Sequence, residues 1–224
     1  MKAAVIIPAG GSGKRMGAAI EKQFLKIGGV SILDRCLAVF NKHPQIMEIV
    51  VVVPEKRVAP LSAALKKKFR KITAIVAGGK ERTHSVSNGF RALTKKYPVV
   101  LTHDAVRPFV TPDIITRSID ACRKYDGLTI AVPAKDTIKK VRGTRIEATL
   151  TRDELWQVQT PQAFRYKVLE HALRFALDKK MTATDDCAIA ERLGYNMHVV
   201  MGAYANIKIT TKEDLVFGRT LCQQ

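Results

Sequence analysis

The chain has 224 residues, of which 46% are apolar and 26% charged, and it carries a formal net charge of +18. No run approaches the ~20 apolar residues a membrane span requires, and Cys36, Cys122, Cys187 and Cys222 are scattered without CxxC or Cys/His spacing, which argues against a zinc cluster or a disulfide framework. The charge does not choose a partner by itself, because a basic surface attracts nucleic acid, nucleotides and anionic lipid alike.

The first apolar run, Ala3-Ala4-Val5-Ile6-Ile7, reads as a strand. It is broken by Pro8 and glycines before it could serve as the core of a signal peptide, so an unexported, cytoplasmic protein with isolated thiols is expected. The run opens into AGGSGKRMG and reaches Glu21-Lys22-Gln23. Gly10, Gly11 and Gly13 let backbone amides approach anionic oxygens, while Lys14, Arg15 and Lys22 add full positive charge, a combination suited to phosphate. A P-loop would need glycine at position 8 and Ser or Thr after Lys14, where Pro8 and Arg15 stand; a dinucleotide fingerprint starting at Gly11 finds Met16 in place of its third glycine. The plainer alternative is a glycine-rich turn with solvated cations.

Ile32-Leu33, Cys36-Leu37 and Phe40 have helical spacing, and Ile49 to Val53 reads as a strand buried on both faces. Short apolar runs recur at Ile72 to Ala77, Val99 to Thr102, Leu128 to Val132 and Met197 to Val200. Helical spacing returns at Val86, Phe90 and Leu93, and at Ile114-Ile115, Ser118-Ile119 and Cys122. Alternating strands and helices predict an α/β fold, a mostly parallel sheet flanked by helices, with ligands beyond the carboxyl ends of the strands. The basic run from Lys66 to Lys71 reads as a solvated face.

The segments that follow strands carry the chemistry. Gly78-Gly79-Lys80-Glu81-Arg82-Thr83-His84-Ser85 opens a helix, and its glycines favour close approach by a base or ribose. In His103-Asp104-Ala105-Val106-Arg107-Pro108, Asp104 suits Mg²⁺, which takes few protein ligands and fills its shell from phosphates and water; the alternative is a local ion pair with Arg107. Between about residues 136 and 159 the pattern changes to two strands joined at a turn containing Gly143, a projecting β-arm expected to pack on a second subunit. Gln159-Thr160-Pro161-Gln162 and Thr184-Asp185-Asp186 read in isolation as turn and helix cap. Asn206-Ile207-Lys208-Ile209-Thr210 reads as a short strand whose lysine faces either solvent or the cleft.

PAGGSGKRMG with EKQF, then GGKERTHSV, HDAVRP, DTIKKV, TRDELWQVQTPQ, TATDD and NIKIT, in this order along nearly the full chain, resemble the 2-C-methyl-D-erythritol 4-phosphate cytidylyltransferase family of the non-mevalonate isoprenoid pathway. The resemblance implies one Rossmann-like nucleotidyltransferase domain over residues 1–224, dimerised through the arm. Its substrates would be CTP and 2-C-methyl-D-erythritol 4-phosphate, with Mg²⁺ as cofactor at Asp104. Arg15 and Lys22 would grip the triphosphate, and Lys208 would stabilise charge at the α-phosphate. Ala9, Gly10, Gly11, Gly13, Gly79, Lys80, Ser85 and Asp104 would form the nucleotide site. Arg107 and Thr184, with Thr137 and Arg152 reaching in from a partner's arm, would bind the acceptor.

Three positions depart from the family pattern: Gly10 for a second alanine, Glu21 for proline, and Lys80 for a frequent acidic residue. Glu21 is the weightiest, since it gives up a fixed φ and adds negative charge beside the triphosphate. The acceptor phosphate is already mostly ionised at neutral pH, with a second pKa of ~6, so no general base or nucleophilic triad is required. Two other readings remain: a ribitol 5-phosphate cytidylyltransferase, differing in the acceptor pocket, and a basic nucleic-acid-binding protein. The basic runs lack interleaved aromatics, which make up only 6% of the chain, so nucleic acid is not the expected partner. Six cations of the proposed site, Arg15, Lys22, Arg82, Arg107, Arg152 and Lys208, leave 18 − 6 = 12 positive charges without a role.

Overall fold

A computed structural model describes residues 1–11 and 21–223. The first apolar run forms β1 (Ala3–Pro8), and Lys22–Phe24 makes a single 3-10 turn leading into a small ribbon of β2 (Lys26–Ile27) and β3 (Val30–Ser31). Ser31 then caps α1 (Ile32–Lys42), its hydroxyl accepting from the Asp34 amide at 3.0 Å and satisfying one of the donors a helix start leaves free. Next come β4 (Ile46–Val53), α2 (Glu55–Lys68), β5 (Ile72–Ala77), α3 (Arg82–Arg91), β6 (Val99–Thr102), α4 (Pro112–Ala121) and β7 (Gly127–Pro133). The pair β8 (Lys139–Arg142) and β9 (Arg145–Thr149) precedes β10 (Trp156–Arg165), α5 (Tyr166–Asp178), α6 (Cys187–Arg192), β11 (Met197–Met201) and α7 (Lys212–Leu221).

Seven strands form the central sheet in the order β11-β7-β10-β6-β1-β4-β5. β6, β1, β4 and β5 are mutually parallel, as are β7 and β11, while β10 is inserted antiparallel between β6 and β7. The expected mostly parallel α/β sheet is therefore present. Successive side chains of a strand point to opposite faces, and β1 supplies both: Val5 and Ile7 pack with Leu37, Phe40 and Ile115, whereas Ile6 packs with Val86, Phe90 and Leu169. This two-sided burial is why the strands read as unbroken apolar runs rather than alternating ones. Helix α3 lies so close to the sheet that a Cβ at Gly89 would stand 2.5 Å from Ile6 Cγ2 and 2.9 Å from Val52 Cγ2.

Four expectations are corrected. Asn206–Thr210 is not a strand: Ile209 N–H donates to Val106 O at 2.8 Å, but no ladder develops, and the segment is pinned by the buried Ile209 and Asn206 instead. The arm is shorter than residues 136–159, because Trp156 onward belongs to β10 in the central sheet; the hairpin proper is β8 and β9, both fully exposed, turning at Gly143 with φ +59°. Gln159–Gln162 is no turn but the middle of β10, where the ladder to β7 shifts register and the Thr160–Pro161 peptide is cis. Leu93 and Cys122 lie just past the ends of α3 and α4.

Candidate active site

The strands β1, β5 and β6 end at the same edge of the sheet, and their following loops converge there. Ala9 N–H donates to Val52 O at 2.6 Å and Gly78 N–H to Val53 O at 2.8 Å, so each loop leaves its strand held to the neighbouring one. Gln23, buried behind the first loop, donates to Ala9 O at 2.6 Å and ties the segment bearing Lys22 back to the end of β1. Between these loops is a cavity of about 460 Å³. Ala9, Gly10, Gly11 and Lys22 border it from the first loop, Gly79, Lys80 and Ser85 from the second, and Asp104 with Lys208 from the two remaining segments. The structure thus brings together nearly all of the expected nucleotide set; Arg15 and Gly13 lie outside the described residues.

Local packing explains several of these choices. Among the described residues a Cβ at Gly10 would meet nothing within 4 Å, so none of them demands a glycine there. Gly79 differs, since a Cβ would run into His84 at the start of α3; its amide donates to Ser85 Oγ at 3.1 Å. The glycine pair therefore serves the close packing of loop on helix as well as access to the cavity. Glu21 directs its carboxylate toward α2, with Oε2 3.3 Å from Arg57 Nε and Oε1 3.9 Å from Lys56 Nζ, and Arg57 lies over the Phe24 ring. Its φ of −59° is the value proline would impose. Glu21 thus keeps the φ proline would impose, and its carboxylate faces two cations of α2.

Asp104 is the electrostatic centre. Lys208 Nζ lies 2.8 Å and Arg107 Nε 3.6 Å from its Oδ2. Burial alone would raise its pKa, but Lys208, Arg82 and Arg107 outweigh that and hold it down at about 2, so it is ionised at any working pH. Behind it stands a closed chain of hydrogen bonds. Asp104 N–H donates to Thr160 Oγ1 at 3.0 Å, the Thr160 hydroxyl donates to His103 Nδ1 at 3.0 Å, and His103 Nε2–H donates to Arg107 O at 3.1 Å. Because a carbonyl can only accept, the last bond fixes the tautomer. Burial pushes His103 down to about 4, so the imidazole is neutral and structural, not a base.

A second cavity of about 230 Å³ adjoins the first, bordered by Arg107, Val158, Thr160, Gln162, Thr184 and Asp185. Arg107 is only 8% exposed, and its guanidinium faces protein oxygens, donating to Asn206 O at 2.8 Å and Val158 O at 3.2 Å. It braces the segment that presents Lys208. Thr137 and Arg152, by contrast, are exposed and border neither cavity of their own chain. Among the described residues, three border both cavities: Arg82, Asp104 and Lys208. The sequence reading counted Arg82 among the site cations without giving it a role, and it missed Thr160, Gln162 and Asp185 as site residues, since their sequence signal is that of turns and caps.

A cavity at the carboxyl edge of a parallel sheet, lined by glycine backbone and lysine, agrees with what comparison with known proteins finds. The family model for 2-C-methyl-D-erythritol 4-phosphate cytidylyltransferase matches residues 3–224. The chain belongs to this family. Curated cytidylyltransferases of that name include one from Geobacter metallireducens, 46% identical over 98% of this chain and 97% of its own, and one from Alkaliphilus metalliredigens, 42% identical over 100% and 94%. Among solved cytidylyltransferase structures, 4-diphosphocytidyl-2C-methyl-D-erythritol synthase from Anaerococcus prevotii superposes with a TM-score of 0.87 at 32% identity, covering 100% of this chain and 96% of that one. The Thermus thermophilus enzyme superposes at 0.83 with 30% identity, covering 100% of both chains.

Proposed function

We propose that the protein transfers CMP from CTP to 2-C-methyl-D-erythritol 4-phosphate, releasing pyrophosphate, as a step in isoprenoid precursor synthesis. The observation that carries this reading is the shared border of the two cavities: a nucleotide in the larger and a phosphorylated acceptor in the smaller would meet at Asp104 and Lys208. An acceptor phosphate oxygen attacks the α-phosphorus in line. One P–O bond forms there, the bridge to the β-phosphate breaks, and pyrophosphate leaves with the electron pair. The obstacle is the approach of two polyanions, so catalysis is positioning and charge stabilisation. Arg15 and Lys22 hold the triphosphate, and Lys208, oriented by Asp104, donates at the α-phosphate. Backbone groups of Ala9, Gly10, Gly11, Gly13 and Gly79, with Lys80 and Ser85, receive the nucleoside.

Asp104 fits Mg²⁺. It is an ionised carboxylate on the cavity wall with Lys208 on Oδ2, and among the described residues no group of three His, Cys, Asp or Glu forms an all-protein metal cage. When bound, the ion would neutralise charge on phosphate oxygens. Thr184 and Arg107 border the acceptor, and Thr137 with Arg152 of a second copy complete its site. Exposed Val141 and Ile146 on the hairpin, with Trp156 and Val158 beside it, support a homodimer formed by an arm on one 1–224 domain. Four free cysteines, three of them buried, support a reducing cytoplasm, and no helix among the described residues is long and apolar enough to cross a membrane.

The test is pyrophosphate release with each of the four NTPs, Mg²⁺ and methylerythritol phosphate, alongside ribitol 5-phosphate. Turnover confined to CTP and methylerythritol phosphate is expected. Faster turnover of ribitol 5-phosphate would transfer the assignment to that acceptor.

A further inference from the structure

Arg82 opens α3 at the border between the two cavities. Its Nη1 lies 2.7 Å from Asp186 Oδ1, and Asp186 is only 1% exposed. Asp186 is itself fixed from two further elements: Thr102 Oγ1 donates to its carboxylate Oδ2 at 2.7 Å, and its backbone N–H donates to Gln162 Oε1 at 2.9 Å. The anchor thus joins the end of β6, the middle of β10 and the start of α6. A guanidinium has five N–H donors in a planar fork, and among the described residues this one forms a single ion pair. Arg82 borders both cavities, and the remaining donors of a planar guanidinium fork suit two oxygens of a phosphoryl group. The other cation of this border, Lys208, is already paired with Asp104 at 2.8 Å.

We propose that Arg82 is a catalytic residue of the transfer: held from behind by Asp186, its guanidinium donates to the phosphoryl oxygens that gain charge as the acceptor phosphate crosses to the α-phosphorus. The inference rests on the reaction proposed above. As the new P–O bond forms and the bond to pyrophosphate breaks, negative charge builds on oxygens at the junction of the cavities. A fixed cation there lowers the transition state more than the ground state and therefore acts on kcat rather than on CTP affinity.

Removing Arg82 alone would leave Asp186 buried and unpaired, so the decisive variant is the neutral pair Arg82→Gln with Asp186→Asn. Thermal unfolding, CTP affinity by calorimetry, and kcat from pyrophosphate release are measured on it and on wild type. The expected result is an unfolding midpoint near wild type, a CTP Kd within threefold, and kcat lower by about 100-fold, the size of loss seen when one preorganised donor is removed. A kcat within threefold of wild type would overturn the inference and leave Arg82 as the counter-ion of Asp186. Arg82→Lys provides a second test that keeps the buried ion pair and removes the fork: kcat should fall about tenfold with the midpoint unchanged, and full retention of kcat would equally sink the role. Wild type that releases no pyrophosphate from CTP and methylerythritol phosphate would overturn the reaction itself, an outcome distinct from an active wild type matched by active variants.

Discussion

Lowering the pH should weaken the fold through His103, by an amount the structure sets. The ring is fully buried, and its pKa lies near 4 against an ordinary value of 6.5. The unfolded chain therefore binds a proton that the folded one refuses over the interval between these values. The linkage has one sign: stability present above pH 6.5 is lost as pH falls toward 4, below which this group contributes no further slope. A gap of about 2.5 units at about 1.4 kcal/mol per unit gives a full effect of roughly 3 kcal/mol, of which about 2 kcal/mol is gone at pH 5. Urea unfolding of wild type and His103→Gln from pH 7.5 to 4.5 tests this. His43, whose pKa burial also lowers, contributes a background of the same sign to both proteins. Wild type should lose about 2 kcal/mol more than the variant between pH 7.5 and 5. Parallel pH profiles, agreeing within about 0.5 kcal/mol, would refute a neutral, buried His103 as the support of the Asp104 loop.

Lys22→Ala and Lys208→Ala, both at residues bordering the larger cavity, should each lower kcat by about two powers of ten, and Lys208→Ala should also lower the unfolding midpoint by taking the 2.8 Å partner from the Asp104 carboxylate; wild-type turnover in either variant would remove that residue from the reaction. Arg152→Ala should raise the KM for methylerythritol phosphate and spare CTP, and equal damage to both would move it out of the acceptor site. Gly89→Ala should destabilise the protein by about 1–3 kcal/mol despite alanine's helix propensity, because the new methyl collides with Ile6 and Val52; a denaturation midpoint at or above wild type would show that α3 can move away from the sheet.

Much of this architecture was legible because parallel strands buried on both faces leave an unambiguous sequence trace. Ile72–Ala77 and Val99–Thr102 form strands with the bounds expected of them. Loops that follow such strands inherit their position, which is why Gly79, Lys80, Ser85, Asp104 and Lys22 gather around one cavity. The difficulties arose where tertiary contacts, not local pattern, decide conformation. Gln159-Thr160-Pro161-Gln162 has turn composition, yet Gln162 is held in β10 by Thr129, Asp185 and the Asp186 amide. Ile207 and Ile209 mimic strand alternation, but they lie beyond the last sheet strand, and Lys208 is aimed by Asp104 and the Arg107 brace. Nor does sequence disclose that Glu21 finds Arg57 on α2, a partner 36 positions away.

On the proposed reading of the two cavities, the antiparallel insertion of β10 divides the labour between substrates. Everything that touches the larger cavity from β1 and β5 comes from the amino-terminal half of the chain, whereas Val158, Thr160, Gln162, Thr184 and Asp185 around the smaller one come from β10 and the segment leading to α6. Among the described residues, Asp104 after β6, Arg82 at the start of α3 and Lys208 near the carboxyl end serve both. Such a layout lets mutation remodel the acceptor pocket while the nucleotide half stays intact, so a lineage could exchange one sugar-alcohol phosphate for another without relearning how to hold CTP.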